Sequence, residues 1–439
     1  MPVGTAAAAR DSVRGGLPDA WERNYSRTGP ARADTDRHGI PDGPTEASAT
    51  PAATPTATPT QSSYLFGTLL SSRSRAATLY DAGVRVVHLE LGWDSYEPVK
   101  GVFSSSYAAA MKQRVLDMRA AGMKVVLGAG LQYPPAWAFA YKNSRYVNQF
   151  GGTSRELNLT FNARLRARAA RYLARIDADL GLENFWAVRV GAGGNVETLY
   201  PSHNADGIHN GAYWAYDPNA RATSPYPGWK PGQRTYRGSA MRRADVRTWY
   251  EWYVGELAES VEWQLDAYRG LGFTGQLHLL MPGQGTRPLD HKKAIAAFLD
   301  GTGDSNRTLG RGAAWHRLLA NIGDKRNLVP YVASLADGSG WDDVCEPSDR
   351  DVALTSPAIG RWSAARWVSY LADRYGLAKN GENPGRGDTN AYGLGMMKRA
   401  AAQMSACGLQ GMMWAHESQL FKTDSGVTVG DYASVIASH

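Results

Sequence analysis

Cysteine is nearly missing from this 439-residue chain, which has only Cys345 and Cys407. Two are too few for a disulfide-stapled scaffold or a zinc centre. They either join in an oxidising compartment or lie apart as buried thiols. Long apolar runs are missing too: no stretch of about 18 apolar residues occurs, so no membrane-spanning helix is expected. A conventional export signal is not evident, because Met1 to Ala9 is small and Ala-rich without a basic start or a long apolar run. No Gly-rich phosphate fingerprint follows the first apolar strand, which counts against a dinucleotide fold. No histidine pair has ligand spacing at a strand end, which counts against a metal-dependent hydrolase.

A long basic block is also lacking, although the formal net charge is +7. The densest basic stretch is Arg164, Arg166, Arg168, Arg171 and Arg175. Its spacing is that of a solvated helix face, so no nucleic-acid partner is expected. The chain is 43% hydrophobic and 20% charged, ordinary for a globular protein large enough to bury a substantial core.

Composition divides the chain into three regions. Residues 1–47 contain Asp34-Thr35-Asp36-Arg37-His38-Gly39-Ile40-Pro41-Asp42-Gly43. Alternating side-chain oxygens can wrap a hard cation, and the central glycine permits the sharp turn. Asp34, Asp36, His38 and Asp42 are the candidate ligands of a structural Ca²⁺, with His38 standing where an acid is usual. The stretch resembles the short calcium repeats related to thrombospondin type 3. A degenerate, metal-free turn is the alternative. Residues 48–63 are rich in Thr and Pro, a stiff spacer that cannot form a core. Such tethers are typical of extracellular modular enzymes, so a secreted location is expected.

Residues 64–439 alternate short apolar runs with longer amphipathic ones. The expected strands are Tyr64–Leu70, Val84–Leu91, Lys124–Ala129, Phe185–Val190, Gln276–Met281, Leu328–Ser334, Gly376–Lys379 and Gln410–Trp414. Helical periodicity covers Arg73–Asp81, Tyr107–Ala121, Asn162–Leu180, Val246–Arg269, Ala313–Ile322, Ile359–Tyr375 and Met396–Ser405. Eight apolar strands alternating with helices predict an α/β fold, a (β/α)₈ TIM barrel. In such a barrel the chemistry gathers where the strands end.

The second strand leads into Glu90-Leu91-Gly92-Trp93, then Glu97-Pro98, Gly101 and Phe103. Glu97 reads as a structural turn residue, and Trp93 and Glu90 as candidates for the pocket. Gln132, Tyr133 and Trp137 follow the third strand; amide and aromatic groups suit a sugar's hydroxyls and apolar face. Gly191-Ala192-Gly193-Gly194-Asn195-Val196-Glu197-Thr198-Leu199-Tyr200-Pro201 follows the fourth. Gln284 and Arg287 follow the fifth strand, and Trp341 the sixth. Gly381-Glu382-Asn383-Pro384-Gly385 follows the seventh, and Trp414 and Glu417 close the eighth. The segment 202–242 is rich in Tyr, Trp, Asn and Gly and reads as a substrate-shaping loop.

These stretches resemble clan A glycoside hydrolases, including the family 42 β-galactosidases. The clan's usual Asn-Glu pair is split here by Val196. The Gly-rich approach to Glu197, the Glu-x-x-Tyr-Pro ending and the Gly-Glu-Asn string also resemble family 14 β-amylases. The resemblance implies that Glu197 is the acid/base and Glu382 the nucleophile of a retaining hydrolase acting on a carbohydrate, with no catalytic cofactor. It implies sugar contacts from Trp93, Glu90, Gln132, Tyr133, Trp137, Asn195, Tyr200, Gln284, Arg287, Trp341, Asn383, Trp414 and Glu417, with Glu417 the rival of Glu382 as second carboxylate. Retention implies carboxyl groups about 5–5.5 Å apart, and inversion roughly 6.5–9.5 Å. The alternatives are an inverting, β-amylase-like glucan hydrolase using the same two residues, and a non-catalytic carbohydrate-binding barrel.

Overall fold

The computed structural model describes residues 63–439 apart from 192, 194–196, 202, 205–206, 209–210, 284, 303–304, 337–342, 384–393, 416 and 423–425. The calcium-like stretch, the Thr/Pro tract, Asn195, Gln284 and Trp341 therefore lie outside the described residues.

Eight parallel strands close into a barrel in which each strand pairs with its sequence neighbours and the last with the first. They are β1 Leu65–Thr68, β2 Val86–Glu90, β3 Lys124–Gly128, β4 Ala187–Val190, β5 Gln276–Met281, β6 Leu328–Val332, β7 Asn380–Asn383 and β8 Gly411–Trp414. The principal outer helices are α1 Ala76–Asp81, α2 Ser105–Ala120, α3 Ala163–Leu180, α4 Arg243–Gly270, α5 Pro288–Ala296, α6 Trp315–Asn321, α7 Ala364–Arg374, α8 Leu394–Ala406 and α9 Val429–Ala437.

Seven strands fall where the apolar runs place them. The seventh is a correction: Gly376–Lys379 is the turn leading into it, and the strand itself is the polar Asn380–Asn383. Gly376 takes φ +63° after α7, a left-handed position that ends the helix. Pairing with β6 and β8, not intrinsic propensity, makes Asn-Gly-Glu-Asn a strand.

Helix ends follow local chemistry. The Asn162 side chain accepts from the Leu165 N–H to start α3, and Gly181 at φ +74° ends it. The buried face of α3 is Leu165, Ala169, Tyr172, Leu173, Ile176 and Leu180, while Arg164, Arg171 and Arg175 are exposed. Three of the dense arginines thus lie on a solvated helix face, while Arg166, only 17% exposed at its side chain, folds back to donate to the Thr160 carbonyl.

Strand alternation decides which side chains enter the barrel. Leu69, Val86, Val126, Ala187, Leu280, Tyr331, Met413 and Ala415 form a compact apolar cluster, separate from the larger cluster under the helices. These residues mark the inward face. Two and four residues beyond Val86, His88 and Glu90 share that face. Arg189, two beyond Ala187, does too. Glu382 pairs in register with Met413 and faces inward. An apolar floor is therefore topped by a charged layer at the strands' C-terminal ends.

Candidate active site

Glu382 lies on β7, buried, with Oε2 2.8 Å from Nη2 of Arg189 on β4. Tyr331 of β6 is held against the same carboxylate, whose charge helps raise the phenol's pKa after burial itself. The backbone around Glu382 is fixed by Leu335 N–H, which donates to its carbonyl at 3.1 Å.

Glu197 sits on the loop after β4, which folds back on itself. Gly193 and Leu199 N–H groups donate to the Glu197 carbonyl at 3.1 and 3.0 Å. Thr198 N–H donates to Leu280 O of β5 at 3.1 Å, pinning the loop to the next strand. A Cβ at Gly193 would meet the Glu197 and Leu199 carbonyl oxygens at 2.8 and 2.7 Å, so only glycine permits this fold-back. The Glu197 carboxylate is 3.5 Å from Arg311 Nη2 and keeps a fifth of its side-chain surface open.

The charge of Glu382 reaches Glu197. Burial pushes the Glu197 pKa up; Arg311 pulls it down, the Glu382 charge pushes it up again, and Arg189 pulls it down. The net direction is upward. A carboxyl raised this way keeps its proton to higher pH, the property a general acid needs.

Glu90 adds a third carboxylate. His88 Nε2 stands 3.2 Å from its Oε2, and Gln132 Nε2 donates to its Oε1 at 3.0 Å. Gly128 of β3, opposite Glu90 in the ladder, makes room for it: a Cβ there would meet the Glu90 carboxyl carbon at 2.6 Å. Tyr133 belongs to the same layer, since burial and the Glu90 charge raise its pKa. Arg189 feels Glu382, Glu90, Tyr331 and Tyr133, so one buried cation ties the layer together. Glu197, Glu382, Glu90, Gln132 and Tyr133 thus meet at the barrel mouth.

Other expected sugar contacts lie elsewhere. Trp93 is fully buried; it stacks on Tyr172 at 5.1 Å and donates its N–H to Glu97, which also accepts from Gly101 N–H. Trp137 is half-buried, edge-on to Trp93, with its N–H given to the Glu97 carbonyl. Tyr200 is fully buried, stacked on Tyr253 at 4.1 Å, and its O–H donates to the Tyr253 carbonyl. It anchors the Glu197 loop and cannot reach a substrate. Asn383 and Trp414 follow Glu382 and Met413 by one residue, so alternation turns both outward; both are fully buried. Asn383 accepts from Ala336 N–H at 2.7 Å, and Trp414 packs in the large core. Arg287 is buried against the carbonyls of Ile359 and Trp362.

Glu417 is neither a rim contact nor a partner of Glu382. It is fully buried, accepts from Ser72 N–H at 3.0 Å and Thr68 O–H at 3.2 Å, and faces Arg75 at 3.6 Å.

Arg189, Arg311, His88 and Tyr331 were missed. Arg189 and His88 had a visible signal: Arg189 is the single polar residue of its apolar run, and His88 sits at inward parity two residues before Glu90. Arg311 had none, because it arrives from a connection between β5 and β6.

The fold has known counterparts. The catalytic domain of a β-amylase from Paenibacillus polymyxa superposes with TM-score 0.59, at 15% identity, over 86% of this chain and 99% of that one. A β-galactosidase from the haloarchaeon Halorubrum lacusprofundi gives TM-score 0.53 at 12% identity, over 85% of this chain and 57% of that one. A β-galactosidase from Marinomonas ef1 gives 0.52 at 12%, over 85% and 59%. The likeness is one of fold. No protein-family model matches the chain, and no curated protein does.

Proposed function

We propose that the chain is a glycoside hydrolase whose Glu197 and Glu382 cleave an O-glycosidic bond of an oligo- or polysaccharide by retention, in the manner of β-galactosidases. The observation that carries this is the meeting at one barrel mouth of Glu197, from the loop after β4, and Glu382, from β7, with the Glu382 charge among the causes that raise the Glu197 pKa. Glu197, with its raised pKa, gives its proton to the departing oxygen. Glu382, oriented by Arg189 through Oε2, presents its other oxygen to the anomeric carbon. Water then releases the glycosyl enzyme, with Glu197 acting as base. Glu90, Gln132 and Tyr133 line the same mouth, and their carboxylate, amide and phenol groups suit sugar hydroxyls.

One observation favours a second reading. The β-amylase catalytic domain matches this chain across 99% of its own length, whereas the β-galactosidases match over little more than half of theirs. On that reading Glu382 activates a water and the anomer inverts. NMR of the anomer first released decides between them. If the wild-type turns over no glycoside and Glu197→Gln changes nothing measurable, the non-catalytic carbohydrate-binding reading replaces both.

An extracellular location is part of the proposal. It is supported by the Thr/Pro tract and by the Cys345–Cys407 disulfide, with Cα atoms 4.9 Å apart. The Asp34, Asp36, His38 and Asp42 stretch is proposed to hold a structural Ca²⁺, tested by calcium titration of the full chain.

A further inference from the structure

Helix α3 carries a row of arginines along one side. Arg164, Arg168, Arg171 and Arg175 follow one another at steps of four, three and four residues, which stacks them on a single helix face. Like charges at this spacing destabilise a helix. Arg175 is relieved by Asp179 at 2.7 Å. Among the described residues no carboxylate pairs with Arg164, Arg168 or Arg171.

A second element adds to the row. Lys100, exposed in the connection between β2 and α2, brings Nζ to 5.1 Å from the centre of the Tyr141 ring, and Arg168 Cζ stands 5.9 Å from the same centre. Two cations thus converge on one phenol. Burial pushes the Tyr141 pKa up, but Lys100 and Arg168 outweigh it and hold the phenol below its ordinary value. Lower in the row, Arg175 Cζ lies 5.5 Å from the centre of the Phe103 ring.

The row stands beside the barrel mouth. Tyr172 O–H donates to Ala129 O at 2.7 Å, just past the end of β3. A helix that follows a barrel strand runs back against it, so the residues of α3 before Tyr172 rise beyond the strand ends. Arg164, Arg168 and Arg171 are among them, and Arg164 to Tyr172 spans about 12 Å of helix.

We propose that this arginine row, with Lys100, binds a polysaccharide bearing carboxylate or sulfate groups and leads it towards the mouth. Guanidinium forks pair well with such oxyanions. The choice of a sugar polymer rests on the glycosidase reading. A single-stranded nucleic acid fits less well, because it is held by bases stacked on open aromatic faces, and here Tyr141 and Phe103 lie under cations.

Affinity electrophoresis of the full chain tests this, in native gels holding polygalacturonate, chondroitin sulfate or dextran. The two acidic polymers separate carboxylate from sulfate recognition, and dextran is the neutral control. The wild-type should be retarded by at least one acidic polymer and not by dextran, and less strongly as salt rises. Arg164→Gln/Arg171→Gln, at two exposed positions, should weaken binding about 10-fold. Arg243→Gln/Lys292→Gln removes the same charge from exposed positions on α4 and α5 and should bind as the wild-type does. Retardation by neither acidic polymer, an equal loss in the Arg243/Lys292 pair, or binding of a DNA oligonucleotide at least as tight through Arg164 and Arg171 overturns the proposal. The gels read no turnover, so the two readings fail separately. A chain that cleaves a neutral glycoside but meets no acidic polymer sinks the arginine row alone, and one retarded through the row that cleaves no glycoside sinks the hydrolase and leaves the row standing.

Discussion

Arg189 reaches across the barrel from β4 to Glu382 on β7, closing a 2.8 Å ion pair in which both side chains are less than a tenth exposed. Such a pair does more for orientation than for net stability, because desolvation offsets most of its attraction. Breaking it from one side is another matter. Arg189→Met leaves Glu382 buried and unmatched, at a cost of about 3–5 kcal/mol in denaturant unfolding. The double variant Arg189→Met/Glu382→Met should be less destabilised than the two singles summed. Additive losses would show that the two groups are not coupled. Turnover should fall at least about 100-fold in Arg189→Met as Glu382 loses its orientation.

The proton affinity of Glu197 is set by opposed effects, and Arg311 is the one most easily removed. Its guanidinium favours the ionised carboxylate, so Arg311→Ala should raise the Glu197 pKa further. A general acid must be protonated to act. The alkaline limb of kcat/KM should therefore move to higher pH in the variant. A limb that stays in place or moves to lower pH would separate it from Glu197.

Much of this arrangement was legible in the chain, and the failures have physical causes. Largely apolar runs such as Val84–Leu91 and Gln276–Met281 announce barrel strands because a parallel strand is buried on both faces. Asn380–Asn383 announces nothing, since its strand character comes from its neighbours. Positions after strands were read as site positions, yet the two-residue alternation gives only every second side chain to the interior. Glu382 and Glu90 have the right parity; Asn383 and Trp414 do not. Tyr200 and Arg287 follow barrel strands in the chain as ligands would, and only their backbone partners show them to be structural.

Gly128 tests how tightly the mouth is fitted. It pairs with Glu90, and a side chain there would press on the Glu90 carboxyl carbon at 2.6 Å. Gly128→Ala should displace Glu90 from Gln132 and His88. We expect KM for the best glycoside to rise, with kcat less affected, because Glu90 is assigned to binding. An unchanged KM would remove Glu90 from the substrate site.

Glu417 offers a readout of stability that is independent of catalysis. Burial raises its pKa to about 7, outweighing the Ser72 N–H, the Arg75 charge and the Thr68 hydroxyl, which favour the ionised form. In the unfolded chain the group returns to its ordinary value near 4.5. Between those values the folded state holds the extra proton, so unfolding free energy falls as pH rises through that window. The contribution is fully present below about 4.5 and lost above about 7. Glu417→Gln, which mimics the protonated acid, should therefore match the wild-type in melting near pH 4, gain on it between about 4.5 and 7, and hold that gain at higher pH. A wild-type advantage that grows with pH would mean that the Arg75 pair outweighs desolvation, reversing the sign argued here.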